Sequence, residues 1–261
     1  EYMKLLRQMG YQNVKGYLWY VYTNKIVEKN ANYTYNSHNR IEDPTGDDNL
    51  DIDWLQIVEE GIDKVNHNKV FAIFHSRGSH WRYDQRYPKE FEHWQPAMDN
   101  LFNYNSLKPK NRQILLNSYD NTILYTDYML DSLISLLAQR HQPALMLYVS
   151  DHGENLYDDD NQLIWHASYK GTEWEYHIPF VIWYSDEYRQ LHPEKVNMLQ
   201  QHKHSRFCTN TVFHTLLDIA DIQQATDSAK SLANQAFKNQ DTIMVLTAED
   251  KIKILLPMNN N

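Results

Sequence analysis

The chain has 261 residues, enough for one large domain or two small ones with a substantial core. Lys plus Arg number 25 against 34 Asp plus Glu, and this formal net charge of −9 argues against general nucleic-acid binding, which relies on basic surfaces facing phosphates. Hydrophobic residues at 42% and charged residues at 23% exclude wholesale disorder, and no apolar run reaches the roughly 18 residues of a membrane-spanning helix.

Residues 2–9 place Met3, Leu6 and Met9 at helical spacing before Gly10, without a signal-peptide pattern at the start. Residues 17–22 are aromatic and β-branched and predict a strand. Residues 30–50 are rich in Asn, Asp, Ser and Thr and predict a long loop. Residues 51–65 carry Ile52, Leu55, Ile57, Val58 and Ile62, the pattern of an amphipathic helix with an acidic start. The apolar run 70–74 predicts a strand buried on both faces, as in a parallel sheet, with a polar loop over 75–88. Residues 112–137 repeat Leu115, Tyr119, Ile123, Leu130 and Leu137 near helical period and predict one long helix. Residues 144–149 and 178–184 are two further buried-strand patterns, with Pro179 tolerable at the start of the second. A helix over 211–219 and a hairpin from 242–246 and 251–255 complete the chain.

Strands alternating with helices predict an α/β fold, a mainly parallel central sheet sandwiched by helices. In such folds the site lies beyond the carboxyl ends of the strands. Glycine is scarce, 7 residues, so glycine-rich nucleotide loops are absent. The single cysteine, Cys208, excludes an intrachain disulfide and a cysteine-based zinc site, and it has no strand-end context for a nucleophile. No Gly-x-Ser-x-Gly elbow occurs.

Four segments can carry chemistry. Ser150-Asp151-His152-Gly153-Glu154 follows a buried strand, and adjacent carboxylate and imidazole groups can face one zinc ion, although zinc wants four ligands. Gly153 would allow a sharp turn beneath the ion. The competing reading is an ordinary Asp-His turn before a capped helix. Ser76-Arg77-Gly78-Ser79-His80-Trp81-Arg82-Tyr83 groups hydroxyls, two arginines and a histidine, which suits an anionic, phosphate-bearing substrate, or else forms a solvated basic loop. His166, in Leu163-Ile164-Trp165-His166, can close over the Asp-His site or serve a structural role, and His177 opens a strand, where packing or capping is the alternative. Asp158-Asp159-Asp160 lacks the calcium-loop spacing and reads as a solvated turn. Asn32-Tyr33-Thr34 fits a glycosylation sequon, a match common by chance.

In order, these segments resemble the phosphoethanolamine transferases of the sulfatase/alkaline-phosphatase superfamily. The resemblance rests on Gly78-Ser79-His80 with Arg86-Tyr87-Pro88, on Tyr119-Asp120-Asn121-Thr122-Ile123-Leu124-Tyr125-Thr126-Asp127, on Ser150 to Glu154, and on His177-Ile178-Pro179-Phe180 with Trp183-Tyr184-Ser185. It is strongest over residues 51–222 and implies that 1–261 is a partial sulfatase-like catalytic domain, incomplete at its N-terminus. It implies a zinc-dependent enzyme, with one or two ions, at the periplasmic face of the bacterial inner membrane. That enzyme would move phosphoethanolamine from phosphatidylethanolamine to lipid A, other lipopolysaccharide or a glycan through a covalent phospho-threonine intermediate. Asp151 and His152 would be zinc ligands. His80 and His166 would hold the phosphoryl group or move protons, Glu154 would support the metal or a second ion, and His177 and Arg82 would contact substrate. The family's upstream Glu ligand, its nucleophilic Thr and its membrane helices match no position in this sequence, so membrane association is expected through absent segments. A phosphoglycerol transferase, a sulfatase, a phosphodiesterase and a non-catalytic head-group-binding relative are the alternatives.

Overall fold

The structure, a computed structural model, describes residues 12–17, 33–36, 50–64, 69–168, 171–223, 225–240, 242–246 and 252–255. The helix expected over 2–9 lies outside these residues. The chain divides into two compact units, Glu1–Leu136 and Leu137–Asn261.

In the first unit, β1 (Gln12–Tyr17) is flanked in parallel by β2 (Tyr33–Asn36) and β3 (Val70–His75). The strand expected over 17–22 meets β1 only at Tyr17, and the rest of it lies outside the described residues. β2 corrects the loop expected over 30–50: Tyr33-Thr34-Tyr35 has strand chemistry, and pairing with β1 overrides the polar composition around it. Helix α1 (Trp54–Lys64) follows a 3-10 turn at Asp51–Asp53, and the Asp53 carboxylate accepts the Leu50 N–H at 3.1 Å. β3 is half-buried rather than buried on both faces, with Ala72 and His75 exposed.

Helix α2 (Arg112–Ala138) is the long helix that the apolar period predicts. Its buried face is not purely apolar, since Asn117, Ser118, Asn121 and Thr122 are buried beside Leu115, Tyr125 and Met129. The packing around it is aromatic: Tyr83 is fully buried and meets Tyr119 edge-on with ring centroids 5.3 Å apart, and Phe91 meets Tyr125 at 4.8 Å.

In the second unit, β4 (Leu145–Val149) pairs antiparallel with β7 (Phe180–Tyr184). The parallel pairing that these two apolar runs suggest, in a sheet expected to be mainly parallel, does not hold at this pair. Burial on both faces is also incomplete, with Val181 41% exposed. β7 starts after Pro179, whose missing N–H cannot join the ladder. A small antiparallel pair, β5 (Asn155–Leu156) with β6 (Ile164–Trp165), stands between them in sequence, followed by the short helix α3 (Glu173–Tyr176).

Helices α4 (Asp186–Leu191), α5 (Pro193–Gln201) and α6 (Asn210–Ile219) complete the layer. The Ser185 hydroxyl caps α4 by accepting the Tyr188 N–H at 3.1 Å, and Pro193 opens α5. Tyr188, Val196, Leu199, Ile219, Leu232 and Ala233 form the core, against which Leu145, Phe180, Ile182 and Tyr184 of the sheet pack. The expected C-terminal hairpin is present as β8 (Ile243–Leu246) and β9 (Ile252–Leu255), paired antiparallel. No helix among the described residues is long and apolar enough to cross a membrane.

Candidate metal centre and anion loop

In the second unit, β4 ends at Val149 and delivers Ser150 to Glu154 to the sheet edge. The Asp151 side chain is 81% exposed, and its Oδ1 lies 3.8 Å from His152 Nε2. Two ligand atoms on one tetrahedral zinc stand roughly 3.4 Å apart, given metal–ligand lengths of about 2.0–2.2 Å. The Asp151–His152 pair is somewhat wider than this, and Asp151 does not join the grouped ligand atoms of His152, Glu154 and His166. His152 Nδ1 lies 3.0 Å from the Gly153 carbonyl. A carbonyl only accepts, so Nδ1 carries the proton and Nε2 keeps its lone pair for a ligand.

The pair β5–β6 returns the chain so that His166 stacks on His152, ring centroids 3.6 Å apart. The Glu154 side chain is only 5% exposed, and its Oε1 accepts from His166 Nδ1 at 3.2 Å. This carboxylate orients the His166 ring. His152, Glu154 and His166 each offer a ligand atom, all within 4.8 Å of one another. Two imidazoles and one carboxylate are donor types that zinc accepts.

Two backbone features position these groups. Gly153 does not adopt a left-handed φ. It is required for close approach, since a Cβ there would stand 2.2 Å from the Trp174 carbonyl oxygen. His166 is bracketed by Trp165 at φ 63° and Ala167 at φ 57°, left-handed conformations that cost of order 1–3 kcal/mol each. Such strain concentrates at functional turns and has no local sequence signature.

His177 lies outside this group. It caps α3, its N–H donating to the Glu173 carbonyl at 2.8 Å, and its side chain is exposed. The acidic run is a turn, with Asp158 accepting the Leu156 N–H and Asp159 the Asn161 N–H. Burial pushes the Cys208 thiol up, away from nucleophile chemistry.

In the first unit, β3 ends at His75 and leads into the loop that carries Ser79 and His80. The buried Asp51 carboxylate accepts the N–H groups of Arg77 at 3.0 Å and Gly78 at 2.8 Å. Burial pushes the Asp51 carboxyl up, and these two bonds with the nearby Arg86 and Arg77 charges offset only part of that rise. Gly78 sits at φ 53°, which a side chain rarely adopts.

The Thr122 and Ser79 hydroxyls lie 2.6 Å apart. Asn121 Oδ1 accepts the N–H groups of His93 and Trp94, both at 2.9 Å, while its Nδ2 donates to the Trp94 carbonyl at 3.1 Å. The Asp-Asn-Thr segment of α2 is thus the scaffold of this loop. His80 Nδ1 faces the Trp81 carbonyl at 2.5 Å. Arg82 is committed elsewhere: its guanidinium forks onto Asp84 at 3.1 and 2.7 Å and donates to the Asp99 carbonyl at 3.0 Å.

The sulfatase family model matches residues 3–222. The chain belongs to the sulfatase family. Within it, the chain is 32% identical to the protein named phosphoethanolamine transferase EptA of Helicobacter pylori, over 59% of this chain and 28% of that one. It is 28% identical to the Kdo(2)-lipid A phosphoethanolamine 7''-transferase of Salmonella typhimurium, over 70% of this chain and 31% of that one.

The crystal structure of the C-terminal periplasmic domain of phosphoethanolamine transferase EptC from Campylobacter jejuni is similar, with a TM-score of 0.75 and 26% identity, over 92% of this chain and 72% of that one. The corresponding domain of Escherichia coli EptC, solved in complex with Zn, shares the fold at a TM-score of 0.73 and 22% identity, over 97% of this chain and 70% of that one. The alkaline-phosphatase/sulfatase-like α/β fold and the family resemblance read from the motifs are thus borne out. The chain spans about three tenths of the length of the curated relatives it matches.

Proposed function

We propose that this chain is part of the catalytic domain of a zinc-dependent phosphoethanolamine transferase, with residues 1–261 as one partial sulfatase-like catalytic domain. Its donor would be phosphatidylethanolamine and its acceptor lipid A or a related glycan, at the periplasmic face of the bacterial inner membrane. The observation that carries this reading is the grouping of His152, Glu154 and His166 within 4.8 Å. Relatives named as phosphoethanolamine transferases support the chemistry.

Asp151 and His152 would hold a zinc ion, and Glu154 would support it or help hold a second. Bound zinc would lower the pKa of an attacking hydroxyl and neutralise charge on phosphoryl oxygens. His166, its ring oriented by Glu154, would take or give a proton. His80 would contact the phosphoryl group as a hydrogen-bond donor. His177 would meet the substrate through its exposed ring. Arg82 would approach the anion only by leaving Asp84, so its role in this reading is to brace the His80 loop.

The test is transfer by the intact protein from labelled phosphatidylethanolamine in vesicles to lipid A, read by mass spectrometry of the lipid. Zinc-dependent phosphoethanolamine addition is the expected result. Release of free phosphoethanolamine with no product on lipid A, or zinc binding without any turnover, would replace the reading with a phosphodiesterase activity or with head-group binding.

A further inference from the structure

We propose that Glu175, on α3, is the positioning residue of the His152–Glu154–His166 cluster, holding both segments that supply it. The proposal rests on the functional reading above for its metal readout, but not for its geometry. Glu175 is 3% exposed, and its two ends face the two segments. Its backbone carbonyl accepts the Gly153 N–H at 2.9 Å, between His152 and Glu154. Its carboxylate accepts the Ser168 N–H at 3.1 Å and the Ser168 hydroxyl, two residues beyond His166.

Asn155 closes the frame. Its Nδ2 donates to Glu175 Oε1 at 2.9 Å and to the Trp165 carbonyl at 2.7 Å, and its Oδ1 accepts the Thr172 hydroxyl at 2.6 Å. Trp165 and Ser168 are therefore anchored on either side of His166, across the two left-handed residues. Strained backbone persists only where its surroundings over-determine it, and Glu175 with Asn155 provides that constraint. A buried carboxylate is a costly way to fill space, and here Ser168, Asn155 and Thr172 donate to it. The Trp174 carbonyl against Gly153 adds a steric stop to the same contact.

The experiment compares Glu175→Gln, Glu175→Ala and Ser168→Ala with the wild type, and with Leu217→Ala as a control destabilised in a fully buried position away from these contacts. Zinc affinity is measured by calorimetry, and the imidazole nitrogen signals of His152 and His166 are followed by NMR without metal. Glu175→Ala is expected to weaken zinc by about 10–100-fold, the usual cost of an outer-shell partner, and to shift both histidine signals. Glu175→Gln, which keeps an acceptor oxygen, should recover part of both. Leu217→Ala should lower the melting temperature and leave both readouts in place.

Wild-type zinc affinity in Glu175→Ala, or an equal loss in the control, would overturn the proposal. If the wild type binds no zinc, the metal reading fails and the histidine signals alone decide: unchanged signals in Glu175→Gln overturn the positioning role, and shifted ones sustain it. If Glu175→Ala does not fold, Glu175→Gln and Ser168→Ala decide on the same two readouts.

Discussion

The two strand-end loops resemble each other in sequence, each a polar, histidine-bearing segment after an apolar strand, but they use their polar groups differently. After β3, polar side chains are spent on scaffolding: Asp51 on two loop N–H groups, Asn121 on two more, Thr122 on Ser79, and Arg82 on Asp84. His80 Nδ1 faces the Trp81 carbonyl in the same loop. After β4, scaffolding is delegated to Glu175 and Asn155, and the loop's own residues His152, Glu154 and His166 converge on one point. One loop is built to hold a shape around a single group, and the other to concentrate donors. The second arrangement is the one that can bind a cation.

The sharpest way to break this comparison is a pair of substitutions in the intact protein. Asp151→Ala is expected to abolish both transfer and zinc retention, a loss beyond the roughly hundredfold ceiling for an outer-shell partner. His80→Ala should reduce turnover while metal analysis still finds zinc. Zinc lost on His80→Ala, or kept on Asp151→Ala, would reverse the roles of the two loops.

Next in size is Gly153→Ala, where the added methyl meets the Trp174 carbonyl at 2.2 Å. Overpacking of that kind costs about 1–3 kcal/mol, and here the displaced backbone also carries two cluster residues. Denaturant unfolding and zinc calorimetry should both record the loss. Asn121→Ala strands two N–H groups of the first unit and should cost about 1–3 kcal/mol without weakening zinc. A weakened zinc affinity in that variant would show that the loops are not independent in function.

The smallest effect is in acid. Burial pushes the Glu175 carboxyl up, but hydrogen bonds from Ser168, Asn155 and Thr172 together outweigh it and hold the group below its ordinary value of 4.5. A carboxylate depressed in the folded state contributes stability that is complete above the ordinary value and lost as pH falls below it. The wild type should therefore lose stability below about pH 4.5 more steeply than Glu175→Gln. Parallel acid titrations of the two would dispose of this prediction.

Much of the site was legible before any coordinates. Asp151, His152, Glu154 and His166 follow apolar strand runs in motifs that survive as motifs because their spacing along the chain is local. The Asp-Asn-Thr segment of α2 was legible as a signature but not as a scaffold, since its partners stand 27 to 43 residues away. Glu175 carried no signal: Trp174-Glu175-Tyr176 reads like any surface turn, and only burial against Asn155 and Ser168 sets it apart. Arg82 read as a substrate group because Asp84, beside it in sequence, gave no hint that the two fork together.

By itself the sequence determined the order of most elements, the family and the two segments, Ser150 to Glu154 and Leu163 to His166, that the fold brings together. Hydrophobic period and residue type act over a few neighbours, and those neighbours are written consecutively. The tertiary structure alone decided the β2 strand, the antiparallel β4–β7 pair, the reason for Gly153, the strain around His166 and the His152 nitrogen that keeps a lone pair. Each of these depends on a hydrogen bond or a close approach whose existence only the folded chain establishes.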